Sequence, residues 1–543
     1  MKIKSLLAGM LATTAFVACT NDVETVENGA LTKGEKAYVA VNLVTNGTSS
    51  RTTDAPEYEN GKDNEVKVGK VRFYFFGDNG AAYQVTDETH TKVNYIEVDC
   101  PTLNPNGSNL SVDKISNSVL VISKSKEANP KSLVAVLNVD KLTGLGDGSL
   151  SLSELTKAVY DSTQGIAGTG ENAFIMTNSV YVDAAGNTVV AAPITMDNIC
   201  HATGEGNEEG ALDHPVEIYV ERVLAKVETS GIPNNKIFPI KDADKNQVKF
   251  GDKEVYVQLN GWAITNYNNR SNLFKSLEGH NAWDLSFEWN APNNFRSFWA
   301  KSATPTAGED YNATYKNDHK FSDLTTFDAK YCLENTSDDA TELLVAATLV
   351  TKNGDKYQPL EIAQWMGVKY TVDDLKTQLA GTLASEYYYQ VAEGQYVSIT
   401  PDHIAFENPE NQWTDEEKRY TVKATLATDK EGKEPVFYIK NGKEMSVANN
   451  TDIKNKLAKY PVMIWTGGAT YYYLPIKHIG TEKGIVRNHL YDIAINGVTS
   501  FGTPVYNPDE VILPQTPVDD ETYISAQINV LSWKVVSYGV ELN

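Results

Sequence analysis

Residues able to do chemistry are plentiful in this sequence, but they are not spaced to do it together. Eight histidines and four cysteines form no CxxC pair and no HExxH helix, so neither a zinc site nor a thiol redox centre is expected. A GxSxG elbow and a glycine-rich loop running into GK(S/T) are also missing. Asp242, Asp244 and Asn246 imitate the start of a calcium loop. Gln247 stands where that turn needs glycine and Lys253 where the closing glutamate belongs, so a solvated polar turn is expected instead. Glu208 with Glu209, or Asp519 with Asp520, could serve as the acid and base of a glycosidase. Among 71 acidic residues such neighbours carry no information, and solvated surface is the better reading. No catalytic residue, metal ligand or cofactor site emerges, and the chain reads as a protein that is not an enzyme.

Two residues carry a different, covalent chemistry. Lys2 and Lys4 precede the apolar stretch Leu6 to Val17, which is too short to span a bilayer and ends at Ala18 and Cys19. This is the pattern of an exported lipoprotein, with residues 1–18 as signal peptide. The Cys19 thiol would take acyl chains such as palmitate and hold the precursor to a membrane. Phe16 stands where such a sequence usually has Leu. Arg51 is the only arginine between Cys19 and Arg72, and it lies in NGTSSRTTDAP, a polar stretch of the kind proteases reach. Cys100, Cys200 and Cys332 remain, an odd number, widely spaced. They are expected to pack as small hydrophobes, with a disulfide between two of them left open.

The elements that hold these residues read as strands. The chain has 543 residues, too many for one core, and two folding units are expected. Its 29 Tyr and 8 Trp, with many Thr and Val, suit pleated surfaces. Alternating or continuously apolar runs such as Ala37 to Val44, Val66 to Phe76, Leu133 to Val139, Val216 to Val227, Glu254 to Ile264, Leu343 to Val350 and Leu490 to Ile495 are separated by Gly, Asn, Asp or Pro. Helical signals are few: Ser151 to Tyr160 with Ser153 as cap, Asp373 to Leu383, and short pieces near Asn269 to Ser276. An all-β architecture with a few short helices follows. The 48 basic residues leave a net charge of −23, which opposes nucleic acid or an anionic membrane surface as partner.

Several phrases point to a family. NEVKVGKVRFYFFGDNG (Asn64 to Gly80) resembles the first strand and turn of the fimbrillins, the type V pilins of the Bacteroidales, and VERVLAKV (Val220 to Val227) resembles the strand that closes their N-terminal domain. LNGWAITN (Leu259 to Asn266), YCLENT (Tyr331 to Thr336), GIVRNHLYDIAINGV (Gly484 to Val498) followed by FGTP, and VLSWKVVSYGVEL (Val530 to Leu542) come in the order of that family. The interval Asp355 to Lys459 matches poorly. Within the family the chain is most similar to the major subunit of the short, or minor, fimbria. The resemblance implies two transthyretin-like β-sandwich domains, 52–229 and 230–543. It also implies a propeptide, 19–51, that an arginine-specific protease removes after Arg51 to leave Thr52 first. The chain would then be a structural pilin supporting adhesion and biofilm formation. As a lipidated precursor it would sit at the cell outer membrane, and afterwards in the fimbria. Copies of itself, anchor and tip subunits, and host or bacterial surface receptors would be its partners.

The same phrases have physical readings. VERVLAKV, read as one strand, puts Val220, Arg222, Leu224 and Lys226 on one face and Glu221, Val223, Ala225 and Val227 on the other. Arg487 and His489 are expected to be buried and bonded to backbone, and Trp262 and Trp533 to be core anchors. Ala37 to Val44 places Val39, Val41 and Leu43 on one face, on the lipid side of Arg51. Cutting at Arg51 would release this strand and open a groove that a strand from another molecule could fill. The expected donor is the terminal segment, through Ile528, Val530, Leu531, Trp533, Val535, Val536 and Val540. Head-to-tail repetition of that contact does not close and builds a filament. Other readings stay open: a tip adhesin or surface glycan-binding lipoprotein, a secreted hydrolase, and a terminal strand that simply completes its own domain.

Overall fold

The structure is a computed structural model. It describes residues 36–45, 58–99, 104–105, 114–123, 129–161, 174–201, 211–275, 319–335, 341–408, 421–478, 484–510 and the backbone of 533–542, apart from short gaps within these ranges. Strands dominate: β1 (Lys36–Thr45), β2 (Lys70–Phe76), β3 (Tyr95–Asp99), β4 (Lys114–Ser123), β5 (Ser132–Leu137), β6 (Met176–Asn178), β7 (Ile199–His201), β8 (Val216–Arg222), β9 (Leu224–Ser230), β10 (Lys253–Thr265), β11 (Lys330–Leu333), β12 (Glu342–Asn353), β13 (Ala469–Pro475), β14 (His489–Val498) and β15 (Trp533–Leu542). The helices are α1 (Leu152–Leu155), α2 (Val372–Leu383) and α3 (Asn450–Leu457).

A ten-stranded first sheet runs β3-β2-β5-β6-β8-β1-β4, ending on the short Asn104–Pro105, with β7 paired to β1 and Ala192–Pro193 to β5. Its core gathers Val71, Phe73 and Phe75 of β2 with Val134 and Val136 of β5 and Ile218 and Val220 of β8. A five-stranded sheet, Tyr58–Glu59 then β15-β14-β9-β11, and a seven-stranded sheet built on β10-β12-β13 form the second assembly. They share one core: Ala225 and Val227 of β9 and Tyr491, Ile493 and Ile495 of β14 meet Val255 and Val257 of β10 and Leu343, Val345 and Leu349 of β12. This is two sheets packed through alternate residues. Leu344 and Ala346, the intervening positions of β12, bury on its other face with Tyr471 and Val505, so this central strand is apolar on both faces from Leu343 to Ala347.

A third core lies within the poorly matching interval. Between β12 and β13, as an inserted module, a three-stranded sheet (Ile362–Trp365, Val368–Tyr370, Val462–Trp465) and a four-stranded sheet (Tyr387–Ala392, Gln395–Ser398, Phe437–Asn441, Glu444–Val447) pair with none of the larger sheets. They enclose Leu375, Leu379 and Leu383 of α2 with Ile453 and Leu457 of α3 and Phe437. Thr371 caps α2 by accepting the Asp374 amide at 3.0 Å.

Three local expectations are corrected. The cap of α1 is Ser151, not Ser153: Ser151 accepts from the Glu154 amide while the Glu154 carboxylate accepts from the Ser151 amide, a closed capping box. The helix stops at Leu155, and Val159–Asp161 is a strand paired with Arg270–Asn272, a segment expected to be helical. Pairing across more than a hundred residues outweighs local propensity there. VERVLAKV is not one strand: Arg222 ends β8 in the first sheet and Leu224 begins β9 in the second, with Val223 buried between them.

Candidate functional site

β1 is an interior strand. Along one edge Lys36–Val44 pairs antiparallel with β4; along the other Ala37–Val39 pairs antiparallel with β7 and Val41–Thr45 parallel with β8. Val41 stands between Ser118 and Val216, and Leu43 between Ser116 and Ile218. Val39 is fully buried in the first core, beside Leu120. If β1 were absent, β4 and β8 would face each other across two strand spacings, roughly 9.6 Å, with a row of unpaired amides and carbonyls on each side.

β15 lies parallel to β14, with Val535 opposite Leu490, Val536 opposite Tyr491 and Val540 opposite Ile495. Its other edge meets Tyr58–Glu59, where Glu59 is opposite Trp533. The terminal strand therefore sits in its own chain's second sheet, flanked by a residue pair just beyond Arg51. Cys19, Arg51, Thr52, Ile528, Val530 and Leu531 lie outside the described residues, as does Cys100. Of Cys200 only the backbone is described, opposite Tyr38 in β1.

Between these two places runs a line of buried charge that the sequence reading only touched, at Arg487. The Arg222 guanidinium donates to the Glu65 carbonyl at 2.8 Å and to Asn488 Oδ1 at 3.2 Å, and the Arg222 amide donates to that same oxygen. Glu65 is fully buried; its carboxylate pairs with Lys226 at 3.2 Å and accepts from the Tyr331 hydroxyl and the Lys62 amide. Burial alone would raise its pKa, but Tyr331, Lys226 and Lys62 outweigh that and hold it below the usual glutamate range. Arg487 donates to Glu334 through Nε at 3.0 Å and Nη2 at 2.6 Å, and to the Leu273 carbonyl at 2.9 Å, both side chains being wholly buried. Its guanidinium stays charged because Glu334 overrides the desolvation. Glu221 and Lys275, also wholly buried, meet at 2.7 Å. Burial pushes the carboxyl up and the ammonium down. The available signal was charge inside apolar phrases: Glu221, Arg222 and Lys226 interrupt VERVLAKV, and such charges persist in a core only when paired.

The remaining candidates are structural. His489 Nδ1 lies 2.7 Å from the Arg487 carbonyl, and Trp262 is buried in the second core. The side chain of Trp533 lies outside the described residues. Cys332 is buried in the second core, its thiol pushed up to about 12 by desolvation. Asp242 Oδ1 accepts the amides of Asp244 at 3.0 Å and Asn246 at 2.8 Å, a self-contained turn. Among the described residues no three of His, Cys, Asp and Glu gather where a metal could sit.

These features define an all-β protein with an interior N-terminal strand and a terminal strand laid on a sheet of its own chain. Residues 447–539, which include β13, β14 and most of β15, match the family model described as major fimbrial subunit protein type IV, fimbrillin, C-terminal. Over that stretch the chain is similar to the fimbrillins. Among solved structures it is similar to a candidate cell adhesion protein from Parabacteroides distasonis, at 14% identity and a TM-score of 0.29, covering 59% of this chain and 76% of that one. It is also similar to a fimbrial assembly protein from the same species, at 12% identity and a TM-score of 0.26, covering 60% and 85%. The tip fimbrial protein Mfa3 from Porphyromonas gingivalis, with a C-terminal truncation, is similar at 11% identity and a TM-score of 0.24, covering 59% and 81%. No curated protein matches.

Proposed function

We propose that the chain is the lipidated precursor of a structural fimbrial subunit, which is cut after Arg51 and polymerises by exchange of strands between copies. The observation that carries this reading is the place of β1: an interior strand of the first sheet that lies wholly on the N-terminal side of Arg51. Cleavage there leaves β1 held only by its ladders, and its departure opens a slot between β4 and β8. A strand from a neighbouring copy restores both ladders and fills the place of Val39, worth roughly 1.5–3 kcal/mol for each aliphatic side chain buried. The donor is β15, which first leaves β14. Cys19 holds the uncut precursor at the outer membrane, an arginine-specific protease releases it, and the fibre, joined to anchor and tip subunits, supports adhesion and biofilm formation.

Cutting the purified precursor with an arginine-specific protease and following filaments by negative-stain microscopy tests this. Filaments should form only after the cut, and N-terminal sequencing of the fibre should begin at Thr52. Normal filaments from Arg51→Ala would overturn the proposal. The nine-residue register of β15 on β14 also favours a second reading, in which β15 permanently completes its own sheet. Removing residues 526–543 separates the two. A folded, cleavable subunit that cannot extend a fibre fits donation, and a chain that no longer folds fits the second reading.

A further inference from the structure

Among the described residues, three pairs of opposite charge are buried on both sides, and one is unlike the others. The Glu334 carboxylate takes two guanidinium hydrogen bonds from Arg487 and a third from the Ser271 hydroxyl at 2.7 Å. The Glu65 carboxylate accepts from the Tyr331 hydroxyl and the Lys62 amide besides facing Lys226. Glu221 has Lys275 alone: its Oε2 lies 2.7 Å from Nζ, both side chains are wholly buried, and Oε1 is buried with no hydrogen-bond partner among the described residues. A buried ion pair holds its charge only where further hydrogen bonds satisfy the carboxylate. With one donor for two oxygens, the neutral acid and amine are favoured here, and burial shifts both groups in that direction.

A neutral amine held against a neutral carboxyl in a dry site is the reactant pair of amide formation. The scaffold fixes both groups there. On β6 Thr177 stands opposite Glu221 in the register, and its hydroxyl donates to the Leu273 carbonyl at 3.1 Å. Arg487 donates to the same carbonyl at 2.9 Å, and the Leu273 amide donates to the Ala158 carbonyl at 2.8 Å. The backbone is thus held two residues before Lys275, while Glu221 is held in the β8 ladder. Groups oriented in this way react as though at an effective molarity of about 10⁵–10⁸ M. Attack of the Nζ lone pair on the Glu221 carboxyl carbon forms the C–N bond. The carboxyl hydroxyl departs with one amine proton as water, and nothing is oxidised or reduced. The charge of Arg487 acts on Glu221 and favours the oxygen anion of the tetrahedral adduct. The product amide keeps one oxygen, so condensation removes the unsatisfied one.

We propose that Glu221 and Lys275 condense to an isopeptide bond, which staples the end of β8 to the segment that follows Arg270–Asn272. Intact-mass spectrometry of the purified full chain, with its N-terminus sequenced separately, tests it. The wild type should be lighter than its sequence by one water, and proteolysis should yield a branched peptide joining Glu221 to Lys275. Lys275→Met and Glu221→Leu should each restore the full mass and remove the branched peptide. Where a variant fails to fold, the branched peptide of the wild type decides alone. Full sequence mass in the wild type would overturn the assignment. So would a loss of one water that persists in Lys275→Met, as a cyclised aspartate elsewhere in the chain would leave.

Discussion

At the scale of single residues, the decisive groups are buried charges, and their energetics are asymmetric. Arg487 and Glu334 satisfy one another in a dry site, so removing one partner costs more than their pairing contributes. Arg487→Met should destabilise the second assembly by about 3–5 kcal/mol, read as a lower melting temperature, and adding Glu334→Leu should recover part of the loss. Glu65 bears on pH. Its folded-state pKa lies below the unfolded value, so its contribution is complete above the ordinary glutamate range. That contribution is lost as pH falls through the folded value. The melting temperature of the wild type should therefore drop between about pH 5 and pH 3 more steeply than that of Glu65→Gln; parallel curves would contradict the assignment. Arg487 was legible as a buried group because it stands in an apolar phrase, but its partner Glu334 stands 153 positions away, and no local pattern names a partner at that distance.

At the scale of elements, long strands declared themselves, β12 by a continuously apolar run and β14 by alternation. The strands of the inserted module did not, because most have three to six residues and their identity comes from pairing. α3 gave little signal for the same reason, its apolar face being only Ile453 and Leu457. The split of VERVLAKV was hidden because both sheets bury both faces there. β1 offers a sharp test at this scale. Val39→Ala should destabilise the uncut precursor by roughly 1.5–3 kcal/mol in chemical denaturation, and a chain cut after Arg51 should lose the substituted β1 sooner than the wild type does. In the module, Thr371→Ala should cost about 1 kcal/mol through its lost amide bond at the start of α2, lowering a separate melting step.

At the scale of the whole molecule, the passage from β8 to β9 has a mechanical consequence. The backbone leaves one sheet at Arg222 and enters the next at Leu224 with a single buried residue between. A tether between two bodies usually gives under tension before either body does; here there is no tether to give. In the proposed fibre, where β15 has left β14, pull entering the slot beside β8 would pass along the same backbone into β9 and across its parallel ladder to β14, loading those hydrogen bonds lengthwise. The inserted module lies in series between β12 and β13 but is bypassed by this line of force. Single-molecule stretching of such a fibre should therefore show no early soft elongation from the junction between the two sheets.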